Sequence, residues 1–302
     1  MDGVPGLTQD AVQPEGSFDY LFALPEAGTF RYHSHSRSFE QVARGLYGPL
    51  IVEEHTPPDV DHEISVMIDD WRLEETGPLI KDLGSIHDAA PLGNFAKAII
   101  TPRVALRPFQ RILLRLMNVS GARMFPIKLR SIEGILPVDS GTISDLLLAP
   151  AQRVDIIADV QDTDRVSVIV PSGQGPYDMR HLPVSGPTVP AREDDFSSLA
   201  VNRMVEPVLD AAFPVPLVMQ GAAMSSQVSQ DSIGLWNGNP EQPDAPPQRF
   251  RRDETARIML QNETRFPRGI HLRRHHFHEV TPTVALGHYR HVGGHGGKIT
   301  GY

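Results

Sequence analysis

Residues 31–54 read Arg-Tyr-His-Ser-His-Ser-Arg-Ser-Phe-Glu-Gln-Val-Ala-Arg-Gly-Leu-Tyr-Gly-Pro-Leu-Ile-Val-Glu-Glu, and the fold follows from how this stretch is read. Thr29–His35 returns as a strand from a turn at Glu26-Ala-Gly-Thr, and Leu46–Glu53 is a second, apolar strand. Phe39–Arg44 between them reads as a short helix. Side chains alternate across a strand, so His33 and His35 project to the same side. Two imidazoles on one side suit neighbouring metal ions. A His-x-His is often no more than two surface histidines, so the flanking residues must single this pair out.

Working outward, the chain continues in short apolar runs. Ser17–Phe22 alternates as a strand, and His62–Leu73 reads as the strand that enters a second domain. Gln110–Asn118 alternates strictly, with Ile112, Leu114 and Leu116 on one side and Arg111 and Arg115 on the other. Ala149–Asp159 reads as a turn and strand, Leu235-Trp-Asn-Gly-Asn as a short turn, and Thr255–Asn262 as another alternating strand. Residues 173–214 are rich in Pro, Ser, Gly and acids and read as a linker. With 27 prolines and 25 glycines in 302 residues, the expected class is a turn-rich all-β protein.

Composition narrows the function. A net charge of −9 argues against nucleic acid and anionic membrane surfaces as partners, because phosphate binding needs concentrated Lys and Arg. There is no cysteine. That excludes disulfides, thiolate zinc sites, thiol nucleophiles and a blue-copper centre built on a Cys thiolate within these residues. No apolar run reaches the roughly 18 residues of a membrane span. Neither a Gly-x-Ser-x-Gly elbow nor a phosphate-cradling Gly-x-x-x-x-Gly-Lys run occurs.

The Gly45-Leu-Tyr-Gly-Pro-Leu-Ile-Val52 strand behind the His-x-His resembles the multicopper oxidases, the laccase-like enzymes. A second stretch agrees: Phe-Pro-Arg-Gly-Ile-His-Leu-Arg-Arg-His-His-Phe-His-Glu-Val, residues 266–280. The resemblance implies cupredoxin-like Greek-key β-sandwich domains. They would comprise residues 1–55 as the C-terminal half of domain one, 60–172 as domain two, 173–214 as linker and 215–302 as a partial domain three. It implies copper as cofactor, with dioxygen and a small reducing substrate as partners. In the family, His-x-His pairs wrap a three-copper cluster that reduces dioxygen to water. A separate copper, held by two His and a Cys, takes electrons from phenols, amines or low-valent metal ions.

Carried over by position, His33 and His35 match cluster ligands, and His271 matches a ligand of the cluster's mononuclear copper. The family writes the second motif as His-x-x-His-x-His-Gly-His. Here Arg268 and Arg273 stand at two of its histidines, and a guanidinium does not ligate a metal. Arg31 stands where the family has an aromatic residue. The family's first motif and its last, His-Cys-His, are missing from these residues. The expectation is therefore a multicopper-oxidase relative with impaired or lost oxidase activity. The alternatives are a non-catalytic copper-binding β-protein, or a fragment completed by another chain. His275, His276 and His278 read as solvated polar residues.

Three further expectations concern the ends. Met1 reads as an internal start, and residues after Arg290 read as out of frame. The incomplete outer domains would expose unpaired strand edges and favour aggregation. The family is commonly exported, whereas the N-terminus has neither a basic region nor a hydrophobic core, which points to the cytoplasm.

Overall fold

A computed structural model describes residues 9–24, 26–34, 37–81, 95–136, 141–142, 146–172, 175–196, 208–220, 235–236, 239–240, 251, 254–263 and 300–301. The stretch that opened the sequence analysis forms a hairpin. Strand β1 (Gly28–His33) pairs antiparallel with β2 (Tyr47–Val52), in register from Gly28↔Val52 to His33↔Tyr47. The short helix α1 (Ser38–Ala43) lies between them. Gly48 sits opposite Tyr32, whose ring lies where a Cβ would be, so this position accepts only glycine without displacing the ring.

Ten strands follow: β3 (His62–Trp71), β4 (Phe95–Thr101), β5 (Arg111–Asn118), β6 (Phe125–Arg130), β7 (Ile132–Leu136), β8 (Gly141–Thr142), β9 (Leu146–Leu148), β10 (Arg153–Val160), β11 (Arg165–Val170) and β12 (Tyr177–Pro183). They make two sheets, ordered β4-β3-β5-β10-β7-β8 and β12-β11-β6-β9. The larger sheet is mixed: β5 runs parallel to β3 and antiparallel to β10. Between the sheets lies one continuous apolar core. Ile64, Val66 and Ile68 of β3 and Ile112, Leu114 and Leu116 of β5 meet Phe125, Ile127, Val166 and Val168 from the opposite sheet. Each such side chain contributes about 1.5–3 kcal/mol by leaving water.

The alternation read for β5 holds on its apolar side, but the strand is buried on both faces. Arg111 and Arg115 are covered as well, at 3% and 1% exposed. Buried arginines are tolerated only where carboxylates meet them. Arg111 donates to Asp159 from Nε at 2.8 Å and to Asp194 from Nη1 at 2.9 Å.

A third sheet contains β13 (Phe213–Gln220), β14 (Leu235–Trp236), β15 (Asn239–Pro240), β16 (Ala256–Asn262) and β17 (Thr300–Gly301), ordered β15-β14-β13-β16-β17. Its described core is small: Val215, Leu217 and Leu260.

Two sequence expectations need correction. The stretch expected as linker contains β12, which pairs with β11 and buries Met179 and Leu182 in the main core. Its Tyr-Asp-Met-Arg-His-Leu-Pro sequence hides this role, because only every third side chain is apolar and buried, and a bulge at Val168/Ile169 shifts the register. Conversely, Ser17–Phe22 forms no strand, and Phe18, Tyr20, Leu21 and Phe22 are exposed. Alternation alone does not make a strand where no edge is offered for pairing.

Candidate metal centre on the first hairpin

By the two-residue period of a strand, Thr29, Arg31 and His33 share one face of β1. That face is turned toward the sandwich. The Thr29 hydroxyl donates to Asp155 of β10 at 2.7 Å, and Arg153 Nε donates to the Thr29 carbonyl at 2.9 Å. Beneath them lies Arg115. Its Nη1 donates to Asp155 at 3.0 Å and to Thr29 Oγ1 at 3.1 Å, and its Nη2 donates to Glu63 at 2.9 Å and Glu54 at 3.2 Å. Burial works against the Arg115 charge. Asp155, Glu63 and Glu54 outweigh it and hold the guanidinium above its ordinary pKa. Thr29 lies in the hairpin's first strand and Glu54 just beyond its second, whereas Glu63, Arg115 and Asp155 belong to the sandwich. One buried cation thus fastens the candidate metal strand to the larger body.

His33 ends β1 and is half-buried. Its Nδ1 lies 2.9 Å from the Ser34 carbonyl oxygen. With Nδ1–H donating there, Nε2 is the nitrogen whose lone pair suits a metal. Ser34, which follows His33, is tied down. Ser34 N–H donates to the Leu46 carbonyl at 3.1 Å, and the Ser34 hydroxyl donates to Gln41 Oε1 of α1.

Opposite His33, Tyr47 donates its hydroxyl to Asp69 of β3 at 2.5 Å. Burial pushes the Asp69 carboxyl up to about 6, against the restraining bonds from Tyr47 and the Asp70 N–H. Burial, helped by the Asp69 carboxylate, also pushes the Tyr47 phenol up. Arg31 is pushed down to about 10, first by burial and then by Arg153, with Asp69 opposing. Burial likewise lowers Arg153.

Of the sequence-predicted ligands, the structure places His33. His35 and His271 lie outside the described residues, as do Arg268, Arg273, His275, His276 and His278. Among the described residues, no group of three or more His, Asp or Glu forms a metal cage. These residues fit one oriented imidazole ligand and do not by themselves make a copper cluster. Sequence reasoning missed the Arg115 network and the cluster of Arg31, Arg153, Asp69 and Tyr47. The one legible sign was a pair of arginines in an otherwise apolar strand.

Comparison with known proteins decides the family. Residues 1–57 match the family model described as multicopper oxidase. The crystal structure of Lac15 from a marine microbial metagenome superimposes with a TM-score of 0.75 at 43% identity, covering 96% of this chain and 71% of that one. The chain belongs to the multicopper oxidase family. The multi-copper oxidase from Pseudomonas thermotolerans gives a TM-score of 0.63 at 26% identity, covering 79% of this multicopper oxidase and 58% of that chain. Copper resistance protein A of Pseudomonas syringae pv. tomato is 45% identical over 90 residues, which is 29% of this chain and 14% of that protein. Laccase-2 of Cryptococcus neoformans var. grubii is 39% identical over 89 residues, 28% of this chain and 15% of that protein. The match thus spans only about a seventh of these curated relatives' length. The multicopper oxidase fold of this chain is all-β and cupredoxin-like, and copper is the cofactor its family implies.

Proposed function

We propose that this multicopper-oxidase chain keeps the family scaffold and part of its copper site while its oxidase turnover is impaired. The ancestral reaction is copper-dependent oxidation of phenols, amines or low-valent metal ions, coupled to reduction of dioxygen to water. The observation that carries the reading is the pair Arg268 and Arg273, cations at two positions where the motif calls for histidine. A permanently charged guanidinium repels a metal cation as well as failing to ligate it. We assign His33 and His35 of the first domain and His271 of the third as the remaining ligands. The oriented His33 ring supports the first of these. Copper, when bound, supplies the electron transfer; the chain's own contribution on the described residues is to hold the His33 imidazole on a hairpin fixed by Arg115.

Oxygen uptake tests this. With Cu(II)-reconstituted protein and a phenol, an aromatic amine or Fe(II) as reductant, uptake is expected at the level of a copper-free control. The variant R268H/R273H is expected to retain more copper than the parent chain after gel filtration. Copper-dependent uptake by the unaltered chain, with water as product, would overturn the proposal.

A further inference from the structure

We propose that Arg111 and Arg192 form a charge clasp that joins the two connections leaving the central sandwich, so that the two connections open and close together. One connection, residues 55–61, leads back to the first hairpin. The other, residues 184–196, leads on from β12 toward β13. The clasp uses none of the assigned copper ligands, so it stands or falls apart from the proposed function.

Arg111 opens β5 and holds both connections. Its backbone takes the first. Its N–H donates to Asp61 Oδ2 at 2.8 Å, and its carbonyl accepts from the Asp61 N–H at 2.7 Å. Its side chain takes the second. Nη1 donates to Asp194 Oδ2 at 2.9 Å and Nη2 to the Asp194 carbonyl at 3.1 Å, while the guanidinium carbon lies 4.6 Å from the Phe196 ring centroid. Upstream, the second connection runs beside the residues that precede β5. There the Ser185 N–H donates to the Leu106 carbonyl at 2.8 Å, and the Val189 N–H to the Pro108 carbonyl at 3.1 Å. Arg192 then crosses from the second connection to the first. Its Nη1 donates to Asp59 Oδ2, and its Nη2 lies 3.6 Å from Asp61 Oδ2. Asp61 is thus shared by the two arginines.

An isolated exposed ion pair contributes little, whereas a network of charges on ordered groups contributes more. The Arg111 side chain is 4% exposed, and Asp159 already fixes it through Nε and Nη2. Asp194 and Phe196 therefore meet a guanidinium whose freedom is spent. Arg192 spans two carboxylates of one short segment, so holding either connection lowers the entropy cost of ordering the other. Such coupling is reciprocal. Whatever Asp59 adds to the order of residues 184–196, Arg192 adds to the order of residues 55–61. A disturbance of the hairpin connection is thereby passed to the connection that leads to the third sheet, while the apolar core of the sandwich stays as it is.

The test is amide hydrogen exchange of the purified full chain, read by mass spectrometry at the bonded N–H groups of Asp61 and Val189. D59N is expected to speed exchange at residues 186–190, and R192Q at residues 60–62, by about two- to fivefold each. Each substitution thus acts on the connection to which it does not belong. In D59N/R192Q neither segment is expected to exchange faster than in R192Q alone, because the second change removes a contact already gone. Asp59 is 83% exposed at its side chain, so D59N leaves the packing intact. Strand β11 lies in the core and supplies the control, with exchange expected at the parent rate in all three variants. Three results would overturn the proposal: acceleration confined to the connection that carries the substitution, additive effects in the double variant, or equal acceleration in β11.

Discussion

Replacing Arg115 with Met is expected to destabilise the protein by about 3–5 kcal/mol, the range for breaking a buried ion network by removing one partner. The loss arises from what stays behind. Glu54 is 8% exposed and already has one carboxylate oxygen, Oε1, without a partner. Asp155 accepts from the same guanidinium, and both carboxylates would lose that partner. Methionine fills much of the volume, so packing is largely kept and the effect reports the charge. A denaturant titration measures it. The exposed pair Arg165–Asp164 supplies the control, since Arg165→Met is expected to leave the midpoint unchanged. The lesion should also loosen the hairpin. Glu54 and Thr29 are its anchors, so limited proteolysis between residues 55 and 61 is expected to speed up in Arg115→Met. A midpoint shift no larger than the control's would mean that Arg115 does not fasten the hairpin.

The second large effect is expected at Gly134. It stands opposite Ala158 in the pairing of β7 with β10. A Cβ there would collide with the Ile157 carbonyl oxygen and with the Cα and Cβ of Ala158. These are backbone neighbours of a strand whose other residues pack the main core, so they cannot swing aside as a flexible side chain does. Gly134→Ala is expected to cost about 3 kcal/mol, the upper part of the range for overpacking. Ordinarily the same change stabilises a strand by reducing the freedom of the unfolded chain. The sign of the result therefore separates close approach from conformational freedom as the reason for this glycine. A stabilised variant would contradict the close contact of β7 and β10.

Much of the architecture was legible in single strands. The run ending in Tyr47-Gly-Pro-Leu-Ile-Val52 and the alternation of Ile112, Leu114 and Leu116 both describe a pleated surface facing an apolar core, and both became strands. Placing Arg111 and Arg115 on the opposite side was also correct. Their burial was not legible, because it depends on Glu54, Glu63, Asp155, Asp159 and Asp194, which approach from distant parts of the chain. For β12 the reason is different. Its sequence carries charge on both sides of Met179, and only pairing with β11 makes it a strand. Within the candidate site, spacing and the family resemblance made His33 a candidate ligand, while the bond that orients its ring required coordinates. Position 31 was read only as a lost aromatic. The charge of Arg153, 122 positions away by its number, adds to burial in lowering the pKa of the arginine that stands there, with Asp69 opposing.

The measurement that bears most directly on the central claim is the copper content of the purified chain after reconstitution with Cu(II), taken together with its absorption spectrum. The account predicts at most one weakly held copper per chain, lost on gel filtration and reduced further in His33→Ala, with no intense blue band because the chain has no cysteine. Three or more tightly held coppers per chain, with copper-dependent consumption of oxygen, would contradict it.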